Sequence, residues 1–183
     1  MTPRTISKTL DDVAAWVASE IAPKLEYLVP PDDGSVGGFE VETAHPVVYQ
    51  SFVPGKERLT QGQLQAPSIA VQLLGGSDAS SGNRTLNVRL VLTIWAPGHY
   101  DADGFHRDQD GWRDLHNGLD AMAVAVGSAE VIAGCAVNLS RGVQFGYFDI
   151  EGEIPDLYPY WMGKVDFELT GAYPANKRFE NLL

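Results

Sequence analysis

The chain has 183 residues, with 24 Asp and Glu against 13 Lys and Arg and a formal net charge of −11. That balance excludes a basic nucleic-acid binder that grips phosphates, and the length fits one compact domain over 1–183 better than a two-domain enzyme. Hydrophobic residues make up 44%, and seven Phe, seven Tyr and four Trp supply enough bulk to fill a core, so the chain folds rather than staying disordered.

Cys135 is the single cysteine; no intrachain disulfide can form, and a reducing cytoplasm is the expected setting. Asp11, Asp12 and Glu20 interrupt the apolar run that a signal peptide would need, and nowhere do eighteen apolar residues run together, so neither export nor a transmembrane helix is expected.

From Thr9, apolar residues at Leu10, Val13, Val17, Ile21, Leu25 and Leu28 recur every three or four positions, the pattern of an amphipathic helix. Thr9 is the expected N-cap, Asp11 and Asp12 suit the positive end of the helix dipole, and Pro23 should kink or end the helix. Residues 29–66 are rich in Pro and Gly and read as a long projecting arm, with short extended pieces at 39–41 and 47–53. Next, Ile69, Val71 and Leu73 alternate with Ala70, Gln72 and Leu74, and Leu86, Val88, Leu90, Leu92 and Ile94 alternate with more polar neighbours. These form a hairpin whose connection, 75–84, reads as a mobile tip.

A second helix starts near Asp108 or Asp110, with Trp112, Leu115, Leu119, Met122, Ala123 and Val126 on one face and Gly127 closing it. Further strands are expected at 131–139, 143–150 and 161–170. In the last, Val165, Phe167 and Leu169 alternate with Lys164, Asp166 and Glu168, giving one buried and one wet face. The order implies an α+β fold: mainly antiparallel sheet packed with two α-helices, plus the arm.

Chemistry concentrates in HYDADGFHRDQD, which carries His99, Asp101, Asp103, His106, Asp108 and Asp110. Aligned to a calcium loop, His99, Asp101 and Asp103 take positions 1, 3 and 5 and Asp110 takes 12. That loop wants Asp first and a bidentate Glu last, so both ends are wrong. A strand also enters it where a helix should. The segment reads as a solvated, helix-capping acidic turn; no metal is expected, and His99, Asp101, Asp103 and Asp110 are the ligands if one binds. His45 and His116 read as surface or packing histidines, and Cys135 in VIAGCAV as a buried hydrophobe. The local signatures of serine hydrolases, zinc proteases, nucleotide-binding loops and dithiol redox sites are not in the sequence, so neither catalysis nor a cofactor is expected.

Residues 155–161 read Pro-Asp-Leu-Tyr-Pro-Tyr-Trp, following the acidic Glu151 and Glu153 and leading into the last strand. The prolines stiffen the turn. Trp161 reads as cover for the end of the core and Tyr158 as an interface anchor, because Tyr and Trp offer large area at small entropic cost. Asp156, Tyr158, Pro159, Tyr160 and Trp161 are the candidate interface residues.

With an N-terminal amphipathic helix, a long arm, a strand pair, a central helix and the closing PDLYPYWMGKVDFELTG at 155–171, the chain resembles the tail-terminator or tail-completion (neck) proteins of tailed bacteriophages. The match in order covers most of the chain, whereas the residue-level match is confined to that turn and strand. The resemblance implies a structural protein that forms a ring, usually of six copies, on the last ring of tail-tube protein and offers a docking face to a head–tail connector protein. It would be assembled in the host cytoplasm and carried in the virion, with no membrane partner. A closed ring needs a heterologous interface, which strand edges and an arm can provide. A negative channel also lets DNA pass without specific binding. Alternatives are a head-closure or minor tail protein and, from a different class, a soluble metal- or ligand-binding protein built on 99–110.

Overall fold

A computed structural model of the chain describes residues 5–37, 39–79 and 83–172. In chain order the elements are α1 (Ile6–Glu20), β1 (Tyr27–Leu28), β2 (Thr43–Ala44), β3 (Val47–Gln50), β4 (Ser68–Asp78), β5 (Asn83–Trp95), β6 (Gly98–Asp101), β7 (Gly104–Arg107), α2 (Gly111–Ser128), β8 (Val131–Ile132), β9 (Cys135–Val137), β10 (Gln144–Tyr147) and β11 (Tyr160–Ala172). This is the expected α+β class.

The main sheet runs β3-β4-β5-β11-β9-β8, with β10 sharing with β9 the free edge of β11. Its centre is the β5–β11 pair, antiparallel and in register over the whole of both strands, from Tyr160 opposite Trp95 to Ala172 opposite Asn83. Among the described residues, only the β3–β4 pair is parallel within this sheet. Two small ribbons, β1–β2 and β6–β7, stand apart from it.

Alternation in the central strands decides the faces. Val88, Leu90, Leu92 and Ile94 of β5, Ile69 and Val71 of β4, and Val165, Phe167 and Leu169 of β11 are buried in one cluster with Val13, Val17 and Ile21 from the first helical segment and Leu115, Leu119, Met122 and Val126 of α2. Each such side chain removed from water contributes roughly 1.5–3 kcal/mol before the entropy of ordering is charged against it. Helix α2 packs on β5, β10 and β11, while α1 packs on β3 and β4 and also meets β8 at the other end of the strand order, so the sheet curls around its helices. None of the helices among the described residues is long and apolar enough to cross a membrane.

Several expectations are corrected. The N-cap of α1 is Thr5, whose Oγ1 accepts from the amide of Lys8 at 3.1 Å; Thr9 lies buried one turn further in and donates its hydroxyl to the Thr5 carbonyl at 3.0 Å. Pro23 falls in a separate 3-10 turn, Ala22–Lys24, so Leu25 and Leu28 leave the helix. Residues 29–66 do not project as an arm. Phe39 is buried against Trp95, Tyr49 is buried in β3, and the Tyr49 hydroxyl donates to the Leu64 carbonyl at 2.9 Å while accepting from its amide at 3.1 Å. Apolar anchors and these two bonds fold the segment back across the outer face of the sheet.

The expected tip at 75–84 is mostly ladder. After a register shift between Leu73 and Gly75, β4 continues to Asp78, where Asp78 takes both Arg84 Nε (2.7 Å) and a terminal guanidinium nitrogen (3.0 Å). Residues 80–82 of that tip lie outside the described residues. The expected strand at 131–139 is cut in two, because Ala133 and Gly134 adopt φ of 53° and 67° in a two-residue hairpin turn between β8 and β9.

Candidate functional site

The outer face of the sheet carries two different surfaces. Register places Gln72, Arg89 and Asp166 in one row, and there Arg89 makes a bidentate pair with Asp166, both bonds 2.7 Å. Lys164 pairs with Asp149, and the buried Glu168 accepts from Asn138 and pairs with Arg141 at 3.0 Å. The wet face expected for β11 is thus a row of paired charges, bonded side to side because neighbouring strands bring opposite signs into register.

Toward the other end the rows become apolar: Ala70 lies opposite Val91, and Thr93 sits between Ser68 and Met162. Ala70, Gln72, Val91, Thr93 and Met162 floor a groove of about 430 Å³. Phe52, Val53 and Gln65 wall one side, and Phe148 and Leu157 the other. Phe148 is held there because its amide continues the β10–β11 ladder, donating to the Met162 carbonyl at 3.0 Å. Phe52 is 73% exposed and Leu157 41%. A hollow of about 300 Å³ shares Phe148, Leu157, Tyr160 and Met162 with the groove and extends it to Ile154, itself 62% exposed. At the floor, Thr93 is only 8% exposed, and its Oγ1 finds no hydrogen-bond partner among the described residues. A buried hydroxyl left in this state costs roughly 1–3 kcal/mol.

The aromatic turn forms one lip. Its Tyr158–Pro159 bond is cis, and the Tyr160 amide donates to the Leu157 carbonyl at 2.8 Å, a type VI turn. Asp156 Oδ1 accepts from the Tyr158 amide at 3.2 Å. Tyr158 Oη donates to the Pro97 carbonyl at 2.7 Å, the Ala96 amide donates to the Pro159 carbonyl at 2.9 Å, and Trp161 Nε1 donates to the Ala96 carbonyl at 3.1 Å. Tyr158 and Trp161 therefore spend their polar atoms clasping the end of β5. Of the candidate interface residues, Asp156 is exposed, while Tyr158, Pro159, Tyr160 and Trp161 are half-buried. Burial of Tyr160 beside the groove raises its phenol above the ordinary value. Phe52, Phe148, Ile154, Leu157 and Thr93 were not singled out from sequence. Leu157 sits inside the singled-out turn, and only the fold-back of 51–66 brings Phe52 to it.

The acidic histidine segment is not a calcium loop. It folds into the β6–β7 hairpin, in which His99 faces His106 with ring centroids 5.7 Å apart and planes at 26°. His99 Nδ1 lies 2.6 Å from Asp108 Oδ2, and His106 Nε2 lies 3.0 Å from Asp101 Oδ1. Asp101 also accepts from the Asp103 amide at 2.8 Å, and Asp108 from the Asp110 amide at 2.9 Å. The hydrogen bond to Asp108 pushes His99 up, and the bond from His99 holds Asp108 down; Asp101 is held down chiefly by the Asp103 amide. Among the described residues no group of three or more His, Cys, Asp and Glu is placed to hold a metal ion. Tyr100 and Phe105 dock the hairpin edge-on or tilted around Phe39. His45 Nδ1 contacts the Leu25 carbonyl at 2.7 Å, His116 packs between Trp112 and Tyr147, and Cys135 is buried.

A second cleft, also about 430 Å³, lies between β1 and α2 and is lined by Tyr27, Asp114, Asn117 and Gly118. Burial, reinforced by Asp114, pushes the Tyr27 phenol up to about 12, and burial likewise raises Asp114. The closeness of Tyr27 to Gly118, where an added Cβ would lie 2.1 Å from the hydroxyl, makes this a packing contact of the ribbon on the helix. No protein-family model matches the chain, and no curated protein matches it.

Proposed function

We propose that the chain is a structural component of a phage neck, which assembles as a ring on the end of the tail tube, ends tail polymerisation and provides the face on which the head docks. The observation that carries this reading is the apolar groove on the outer sheet face, lipped by exposed Phe52, Ile154 and Leu157. Apolar side chains grouped around a groove mark an interaction surface. The groove's lip includes the same turn, residues 155–161, on which the resemblance to tail terminators rests. A cyclic ring joins two unlike patches of the same chain, and the groove serves as one of them. A net charge of −11 suits a protein that surrounds passing DNA.

Electron microscopy of a lysate from phage with this gene disrupted tests the reading. Overlong tails beside unjoined heads are expected. Tails of normal length beside leaky heads would replace the terminator role with head closure, and normal infectious virions would overturn the neck role altogether.

A further inference from the structure

Residues 173–183, outside the described residues, read Tyr-Pro-Ala-Asn-Lys-Arg-Phe-Glu-Asn-Leu-Leu. Here Lys177 and Arg178 directly precede Phe179, a basic pair joined to an apolar anchor in a chain whose balance is strongly acidic. The groove presents the complement. Its floor is mostly apolar, with Ala70, Val91 and Met162, and its lip at Ile154 and Leu157 is flanked by the exposed carboxylates of Glu151, Glu153 and Asp156.

Reach decides whose Phe179 can use it. β11 ends at Ala172, opposite Asn83, whereas the centre of the groove lies at Met162 opposite Thr93, ten register steps back along the same strand. Ten steps of a strand cover roughly 33 Å. Phe179 follows Ala172 by seven residues, a span of at most about 25 Å when fully extended, and the chain would first have to reverse direction. Within one copy Phe179 falls short of Thr93. In a ring, the neighbouring copy's β11 end is placed independently of this limit.

We propose that the groove receives the Lys177–Arg178–Phe179 segment of a second copy, with Phe179 on the Thr93–Met162 floor and the two cations against Glu151, Glu153 and Asp156. The assignment rests on the ring reading only in requiring neighbouring copies, and would make successive subunits join head to tail.

The test uses the full chain with a benzophenone amino acid in place of Phe179, mixed in equal amounts with a nitrogen-15-labelled copy of itself. Irradiation followed by mass spectrometry is expected to give cross-links from position 179 to Phe52, Leu157 or Met162, with mixed-isotope pairs at the proportion for joining between chains. The double change Lys177→Glu, Arg178→Glu is expected to lower their yield by about tenfold through lost charge complementarity. Cross-links confined to pairs of one isotope, or mapping to another surface, overturn the inference. Particle mass measured on the same sample separates the two readings: rings cross-linked elsewhere reject this occupant and keep the ring, while monomers lacking inter-chain cross-links count against both.

Discussion

Gly111, the first residue of α2, tests how the aromatic turn is held. A Cβ placed there would lie 2.3 Å from Trp161 Nε1 and 2.7 Å from both Trp161 Cδ1 and the Ala96 Cβ. None of these atoms is the end of a flexible side chain, so Gly111→Ala must push the indole away from the Ala96 carbonyl that it reaches at 3.1 Å. Overpacking of this kind costs roughly 1–3 kcal/mol, and weakening the indole's bond adds about 1 kcal/mol. Better helix propensity returns at most about 1 kcal/mol. The net is a destabilisation of about 1–4 kcal/mol, and for a domain of this size a fall in Tm of roughly 2–16 °C. Calorimetry should be run on Gly111→Ala, Trp161→Phe and the double variant. Because Phe removes the colliding Nε1, Gly111→Ala should cost less in that background, with a coupling of at least about 1 kcal/mol. A Gly111→Ala protein as stable as the parent, or strictly additive effects, would refute the packing argument.

Three further outcomes follow from the same geometry. Thr93→Val removes a buried hydroxyl with no partner among the described residues, so the isolated chain should gain about 1 kcal/mol in chemical denaturation; a loss would mean that the hydroxyl is satisfied. Tyr49→Phe deletes both bonds to Leu64 and should cost about 1–2 kcal/mol, with faster hydrogen exchange at the Leu64 amide; unchanged exchange would break the link between Tyr49 and the folded-back segment. His99 should titrate above its ordinary value because Asp108 bonds its cationic form, and Asp108→Asn should bring it back down in an NMR titration. Its raised folded-state pKa means that its contribution to stability is full below the unfolded value near 6.5 and is lost as pH rises through the folded one. A His99 titration unmoved by Asp108→Asn would remove the pair.

Legibility in the sequence followed how local the determinants were. The alternation of β5 and β11 and the three-four spacing of α2 announced themselves because each strand or helix needs one apolar face, and those faces meet in the core as expected. Thr5 carries no cap signal in the sequence because the residues after it, Ile6 to Lys8, show no periodicity by themselves. Residues 29–66 looked like an arm because Pro and Gly hide anchors that matter only in three dimensions: Phe39 meets Trp95 and Tyr49 meets Leu64 across long separations. The hairpin of His99 and His106 was missed because its turn, 101–104, also fits an acidic loop. The groove was legible on one side only. Its turn stood out by composition, but its floor belongs to three strands and its opposite wall to the folded-back segment.

Particle mass is the test of the proposed self-association through the outer groove. The parent chain should appear as a closed ring, a sixfold multiple of 19.9 kDa, in native mass spectrometry. Leu157→Asp, which places a charge on a lip residue that is 41% exposed, should keep the parent's Tm within a few degrees, since surface changes cost little, yet remain a monomer of about the same mass as the single chain. A Leu157→Asp protein that forms the same rings as the parent would show that the groove does not join the subunits.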